Sequence, residues 1–228
     1  MFRLGGFTLR VDCAGRVGVE RRACSLPRVK PRLFVEQKLT ALVNKYRVYD
    51  AADGERADMV AFAQQKRFKF KEKLSFYPDE SKAALAFTMR AEKVLDVHGR
   101  YFVEDAQGTP LGALRKSFRK SLLASSWEIL DAEGAVILGV TESNKTLAAL
   151  RRYAGFIPFV GDFFELLLVF FRYHFDFIDA TGAKVGKYVK TTLFRDHYTL
   201  LLTDEAAQAV DVRVLAAMCV GLDALQSR

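Results

Sequence analysis

This sequence predicts a mainly β chain, an antiparallel barrel closed around a hydrophobic C-terminal helix. Three observations carry that expectation. The turn Asp-Ala-x-Gly recurs at Asp105–Gly108, Asp131–Gly134 and Asp179–Gly182, with a looser copy from Asp50 to Gly54. β-prone runs with closely spaced turn signals surround these turns, which argues for an antiparallel barrel or sandwich. The third observation is the stretch from Ala206 to Leu225. It is rich in Ala, Val, Leu and Met, interrupted by Asp211, Arg213 and Asp223. Its apolar residues surround a helix axis instead of forming one stripe, so it requires burial on most sides. Only nine uncharged residues separate Arg213 from Asp223, far short of the ~20 that cross a bilayer. A helix threading a β-barrel satisfies both conditions.

Each turn has a mechanism. The Asp side chain can accept hydrogen bonds from its own turn, and Gly supplies the left-handed position that ends a type I turn with a bulge. Strand-like runs enter the turns at Tyr46–Tyr49, Tyr101–Glu104, Trp127–Leu130 and Tyr173–Ile178. The three regular copies meet a second glycine at Gly112, Gly139 and Gly186. The ordered domain is expected to begin near Leu33. From Arg67 to Phe76 the chain alternates, with Phe68, Phe70, Leu74 and Phe76 on one strand face and cations on the other. Pro78-Asp79-Glu80 then turns the chain into a strand-like run from Leu85 to Val97, and Phe194–Thr203 supplies a closing strand. A helix is expected over about 206–226, and an inserted apolar helical segment near 146–171.

The 228 residues allow one large domain or two small ones, and half of them are hydrophobic. Residues 1–32 hold seven Arg and Lys30 against Asp12 and Glu20, a net of +6 out of the chain's +8. The body from residue 33 therefore carries only +2. That balance, with no recognisable reading motif, argues against nucleic acid as a partner. The basic leader lacks the apolar core of a secretory signal, and its two acids argue against a transit peptide. It reads as disordered or as a small appendage, with a native start near Leu26–Val35 as a further expectation. Three scattered cysteines make no disulfide framework, and their odd number fits a reducing compartment.

The most hydrophobic window, Tyr153–Phe171, is interrupted by Asp162 and Glu165. Two carboxylates at that depth argue against a spanning helix. On a helical projection Phe159, Phe163, Phe164, Leu167, Leu168 and Phe171 form a broad apolar face, opposite a stripe of Asp162, Glu165 and Arg172. Two readings stand together. One is an interfacial helix anchoring the protein in one leaflet. The other is an insertion that packs on the barrel or forms a homo-oligomeric or partner interface, in a soluble interaction scaffold.

Two basic groups could contact an anionic headgroup or bilayer. Arg67, Lys69, Lys71 and Lys73 would lie ~7 Å apart along one strand face, and Arg115, Lys116, Arg119 and Lys120 form the second group. The plainer reading is a solvated outer face on which Lys also blocks edge pairing. Chemistry of other kinds is not nominated. His98, His174 and His197 lack metal-ligand spacing and read as ordinary residues, and there is no phosphate loop or nucleophile elbow. The expectation is therefore a non-enzyme with no cofactor and no metal.

The tail from Val210 to Asp223, an Asp-Val-basic start leading into an Ala/Met/Cys/Gly-rich helix with a further Asp, resembles the ending of phospholipid scramblases and LURP-one-related proteins. The Asp-x-x-Gly hairpins resemble that group too, so the chain from about 33 to 228 is similar to the tubby C-terminal-like superfamily. The resemblance implies a closed barrel around a central helix and binding of phospholipid or phosphoinositide at the cytoplasmic face of a membrane. At its furthest it implies lipid scrambling with calcium dependence. Asp204, Glu205 and Asp211 occupy the region where scramblases carry calcium-linked acids. They lack the alternating spacing of a calcium loop and read as helix-capping groups.

Overall fold

The structure is a computed structural model that describes residues 8–11, 17–20, 29–39, 43–52, 54–66, 73–92, 99–117, 126–143, 174–192 and 196–226. β1 (Thr8–Val11) and β2 (Val17–Glu20) pair with each other in a separate two-stranded sheet. Twelve further strands form a closed barrel. They are β3 (Lys30–Leu39), β4 (Val43–Ala52), β5 (Glu55–Lys66), β6 (Lys73–Tyr77), β7 (Phe87–Ala91), β8 (Arg100–Asp105), β9 (Pro110–Ser117), β10 (Ser126–Leu130), β11 (Val136–Glu142), β12 (His174–Ile178), β13 (Lys184–Lys190) and β14 (Asp196–Leu202). Each pairs antiparallel with its sequence neighbours, and β14 closes against β3 through Tyr198–Val35 and Leu200–Leu33. The sandwich alternative is thereby excluded.

The repeated turns are built as their chemistry dictates. Asp105, Asp131 and Asp179 each accept the N–H of the glycine three residues on, at 3.1–3.2 Å. Their carboxylates take further backbone N–H groups, such as Thr109, Ala135 and Ala183 at 2.7–2.9 Å. Gly108, Gly134 and Gly182 hold φ of 85–90°, the left-handed position predicted for them, and Gly54 in the looser copy has 85°. One register shift follows in each hairpin, at Val103/Glu104, Ile129/Leu130 and Phe177/Ile178. Hydrogen bonds also hold the Asp105 and Asp179 carboxyls below the usual carboxylate range, led by the Thr109 backbone N–H at Asp105 and by the Thr181 hydroxyl at Asp179.

Inside the barrel lies the C-terminal helix. The single helix expected over 206–226 is two: α1 (Asp204–Ala209) and α2 (Val212–Gln226). The break has a local cause. Asp211 takes the role of helix cap, its carboxylate accepting the Arg213 N–H at 2.8 Å while its carbonyl accepts Val214 and Leu215. Thr203 caps α1 through its hydroxyl, and Asp204 and Glu205 fill the first turn. From Val214 to Leu222 every residue of α2 is buried, and Leu215, Ala216, Ala217, Cys219 and Val220 have no exposure at all. Burial around the whole circumference is what a helix in the bore of a closed sheet must show. Its neighbours are the inward faces of the strands, among them Leu33, Val48, Phe76, Ile129, Phe177 and Leu200.

Two strand expectations are corrected. The alternating run from Arg67 to Phe76 is not one strand. β5 ends at Lys66, β6 begins at Lys73, and the two are antiparallel through Phe62–Tyr77 and Ala63–Phe76, so the chain reverses between them. Of the run from Leu85 to Val97, the described residues end at Glu92, and among them Phe87–Ala91 forms β7. The apolar segment near 146–171 lies outside the described residues.

Candidate functional site

Strands that alternate in direction bring successive connections to opposite rims of the barrel. One rim carries the Asp turns and the start of α2, whose Val214 lies against Gly112. At the other, α2 ends. Among the last two residues of each strand at this second rim are Lys38, Lys66, Lys73, Arg90, Arg100, Lys116 and Lys190, opposed by Glu142 and Asp196. The six connections that leave from this rim contain eleven Lys and Arg against five Asp and Glu, a net of +6. The five strand-to-strand connections at the Asp-turn rim hold six Asp and Glu against Lys82 alone, a net of −5. A body of net +2 is thus polarised along the barrel axis.

Individual side chains at the basic rim are positioned differently. Lys38 and Lys73 are exposed. Arg90 pairs with Glu104 at 2.8 Å. Lys116 shares an inward register with Trp127 and sets its ammonium 5.8 Å from that ring, while Lys190 lies 5.9 Å from the ring of Tyr198. Of the predicted basic groups, Arg115 and Lys116 are separated by the strand pleat. Arg115 turns to the outer face and holds Glu128 on β10 at 2.6 Å, opposite in direction to Lys116. Lys73 opens β6. Arg67, Lys69, Lys71, Arg119 and Lys120 lie outside the described residues, as do Phe159, Phe163, Phe164, Leu167, Leu168 and Phe171.

Within the bore, near the end of α2, is a polar cluster that sequence reasoning missed. The Asp223 carboxylate accepts the Tyr46 hydroxyl at 2.7 Å and the Gln37 amide at 2.6 Å. Tyr46 is 1% exposed. Burial, and then the Asp223 charge, push its hydroxyl well above the ordinary tyrosine range. Tyr188 stacks on Tyr198 at 5.3 Å between ring centroids. The Tyr188 hydroxyl and the Asn44 carbonyl oxygen are buried with no hydrogen-bond partner among the described residues. The signal available in the sequence was period two on β4, which sends Asn44, Tyr46 and Val48 to one face, together with a lone Asp on an apolar helix. Together these bonds tie the helix end to the barrel wall.

Among the described residues no group of three or more His, Cys, Asp or Glu could hold a metal ion, and no helix is long and apolar enough to cross a membrane. His174 and His197 sit in β12 and β14.

The sequence profile of the LURP-one-related family matches residues 59–223. The chain belongs to the LURP-one-related family. That family is part of the tubby-like superfamily, in keeping with the barrel and its buried helix. No curated protein and no solved structure matches the chain. For a LURP-one-related chain the fold is consistent with a lipid-binding role in general.

Proposed function

We propose that this LURP-one-related barrel is a non-enzymatic module that binds anionic phospholipid at the cytoplasmic face of a membrane, approaching with its basic rim. The observation that carries the reading is the axial polarity of charge. Cations on seven strand ends share a rim with connections whose sequences hold eleven further Lys and Arg, while acids collect at the opposite rim. Such an arrangement draws one end toward a negative surface and repels the other. The apolar residues Phe163 and Leu167 would add anchoring once contact is made.

Sedimentation with vesicles of phosphatidylcholine alone, or mixed with phosphatidylserine or a phosphoinositide, tests this. Binding should require the anionic lipid and weaken as salt rises through the physiological range. The double variant Lys38→Glu/Lys73→Glu should bind at least ~30-fold more weakly, from ~1 kcal/mol per cation lost at the surface. Equal binding by that variant, or binding indifferent to salt and lipid charge, refutes the reading. Phe163→Asp/Leu167→Asp reports separately on the apolar contribution.

A further inference from the structure

Four consecutive wall strands each turn a polar or aromatic side chain toward the end of α2. In the closed order β13–β14–β3–β4 these are Tyr188, Tyr198, Gln37 and, on β4, Tyr46 with Asn44. The register sets them on the inner face. Tyr188 stands opposite Leu200, Tyr198 opposite Val35 and Gln37 opposite Tyr46, and Leu200 and Val35 belong to the core. From the helix come Asp223 and, one turn earlier on the same face, Cys219. Bonds run along most of this arc. Gln37 and Tyr46 donate to the Asp223 carboxylate, and the Asn44 side chain hydrogen-bonds the Tyr46 hydroxyl. The Tyr188 ring stacks on Tyr198 within 13° of parallel.

Two polar atoms at the ends of the arc are left over. The Asn44 amide nitrogen serves Tyr46, and its carbonyl oxygen has no hydrogen-bond partner among the described residues. Nor has the Tyr188 hydroxyl, although Tyr188 is only 3% exposed and Asn44 only 9%. That hydroxyl keeps its proton. Burial above all, then Cys219, Tyr198, Asp223 and Tyr46, hold it well above the ordinary tyrosine range. It therefore calls for an acceptor, while the Asn44 oxygen calls for a donor. Leaving both bare costs more than ordering solvent beside them. Stacking on Tyr198 needs only a phenyl ring, so a dry wall would be better served by phenylalanine at 188. Water both donates and accepts, which suits the two atoms, and polar interior sites with such partners are where buried water is found.

We infer that the end of the bore around Asp223 is a hydration site, in which ordered water donates to the Asn44 carbonyl oxygen and accepts from the Tyr188 hydroxyl. The helix is then held in two ways. From Val214 to Leu222 it packs against the wall as a buried apolar rod, and at Asp223 it is moored through side chains and solvent. The site faces inward, so it stands or falls separately from the lipid reading.

Oxygen-17 magnetic relaxation dispersion on the full chain counts water molecules that stay buried longer than the protein takes to tumble. Wild type should hold at least one, and Tyr188→Phe, which keeps the stacked ring and removes the hydroxyl, should hold fewer. The same substitution should lower the urea midpoint, because it breaks a bond to water. On a dry wall it would remove a buried unpaired hydroxyl, and the midpoint would rise. Crystallographic density should place the water within about 2.5–3.2 Å of each atom. A wild-type chain with no long-lived water, equal counts in the two chains, or a Tyr188→Phe midpoint at or above wild type overturns the inference. Should Tyr188→Phe fail to fold, wild type alone decides, since density without a water peak at either atom also overturns it.

Discussion

Gly139 and Gly186 lie one residue out of step in two copies of one hairpin, eight residues after Asp131 and seven after Asp179, and the structure assigns alanine there opposite effects. A Cβ at Gly186 would lie 2.4 Å from the Leu201 carbonyl oxygen, 2.5 Å from Leu202 Cδ2 and 3.2 Å from Leu202 Cα. Two of those three atoms are backbone of the paired strand β14, so relief requires moving a strand that is itself tied to β3. Overpacking of this kind costs about 1–3 kcal/mol. At Gly139 the nearest atoms are Ile178 O at 3.8 Å and Ile178 Cβ at 4.0 Å, ordinary contact, and φ lies outside the left-handed region. Alanine there should stabilise by ~0.4–1 kcal/mol, because it narrows the unfolded ensemble. For a chain of this length each kcal/mol moves Tm by ~2–4 °C. Gly186→Ala should therefore melt ~2–12 °C lower, and Gly139→Ala ~1–4 °C higher. Trp127, the only tryptophan and 3% exposed, reports unfolding by fluorescence in guanidinium. If the two variants shift the midpoint equally or with the same sign, the close approach of β13 and β14 is not as described.

Three further outcomes follow from the helix and its moorings. Tyr46→Phe removes the Tyr46 hydroxyl bond to the Asp223 carboxylate and should cost ~1–3 kcal/mol in denaturant unfolding. Asp211→Ala removes the cap of α2 and should cost ~0.5–2 kcal/mol by the same measurement. In a Cys13→Ser/Cys24→Ser background, Cys219 should react with a thiol reagent only at the rate of global unfolding. It is fully buried at the centre of α2, and burial holds its thiol above the usual cysteine range. Reaction within seconds of mixing under native conditions would contradict the closed bore.

Alkaline pH gives a fourth outcome with a definite sign. Tyr46, Tyr188 and Cys219 all have raised folded-state values, with burial as the leading cause. Below the unfolded values all three groups are neutral in both states, and their contribution to stability is fully present. Above ~8.5 for cysteine and ~10 for tyrosine, the unfolded chain loses protons that the folded chain keeps, so stability falls as pH rises. Unfolding midpoints should decline from about pH 8.5 and more steeply past 10, with a shallower slope in Tyr46→Phe.

The hairpins were legible because their determinants are local: an Asp oxygen and a left-handed Gly sit within five residues of each other. The buried helix was legible because apolar residues around a full circumference leave few other arrangements. The reversal between Lys66 and Lys73 was not, since no Gly, Pro or Asn marks it and the alternation of Phe and Lys continues through. Nor was the division of the helix anticipated, although Asp211 is an ordinary capping residue, because the apolar composition runs across Val210 without a gap. At the site, adjacency in sequence misled: Arg115 and Lys116 read as one cluster, but the pleat sends them to opposite faces. The contact of Asp223 with Tyr46 and Gln37 spans more than 170 residues, and nothing local announces it.

Net charge was the least legible quantity of all. A body of +2 reads as nearly neutral, and a search for clusters along the chain finds only runs of three or four cations. Antiparallel topology sorts residues by a rule the linear sequence does not display, sending alternate connections to alternate rims. Acids gather at one rim for a structural reason, since Asp opens each of the three repeated hairpin turns and accepts its N–H groups. The other rim is under no such constraint and collects cations on strand ends as distinct as Lys38, Arg100 and Lys190. Half of the polarity is thus a by-product of how the turns fold. The basic half has no counterpart in turn chemistry, and it is there that a selective role must be sought.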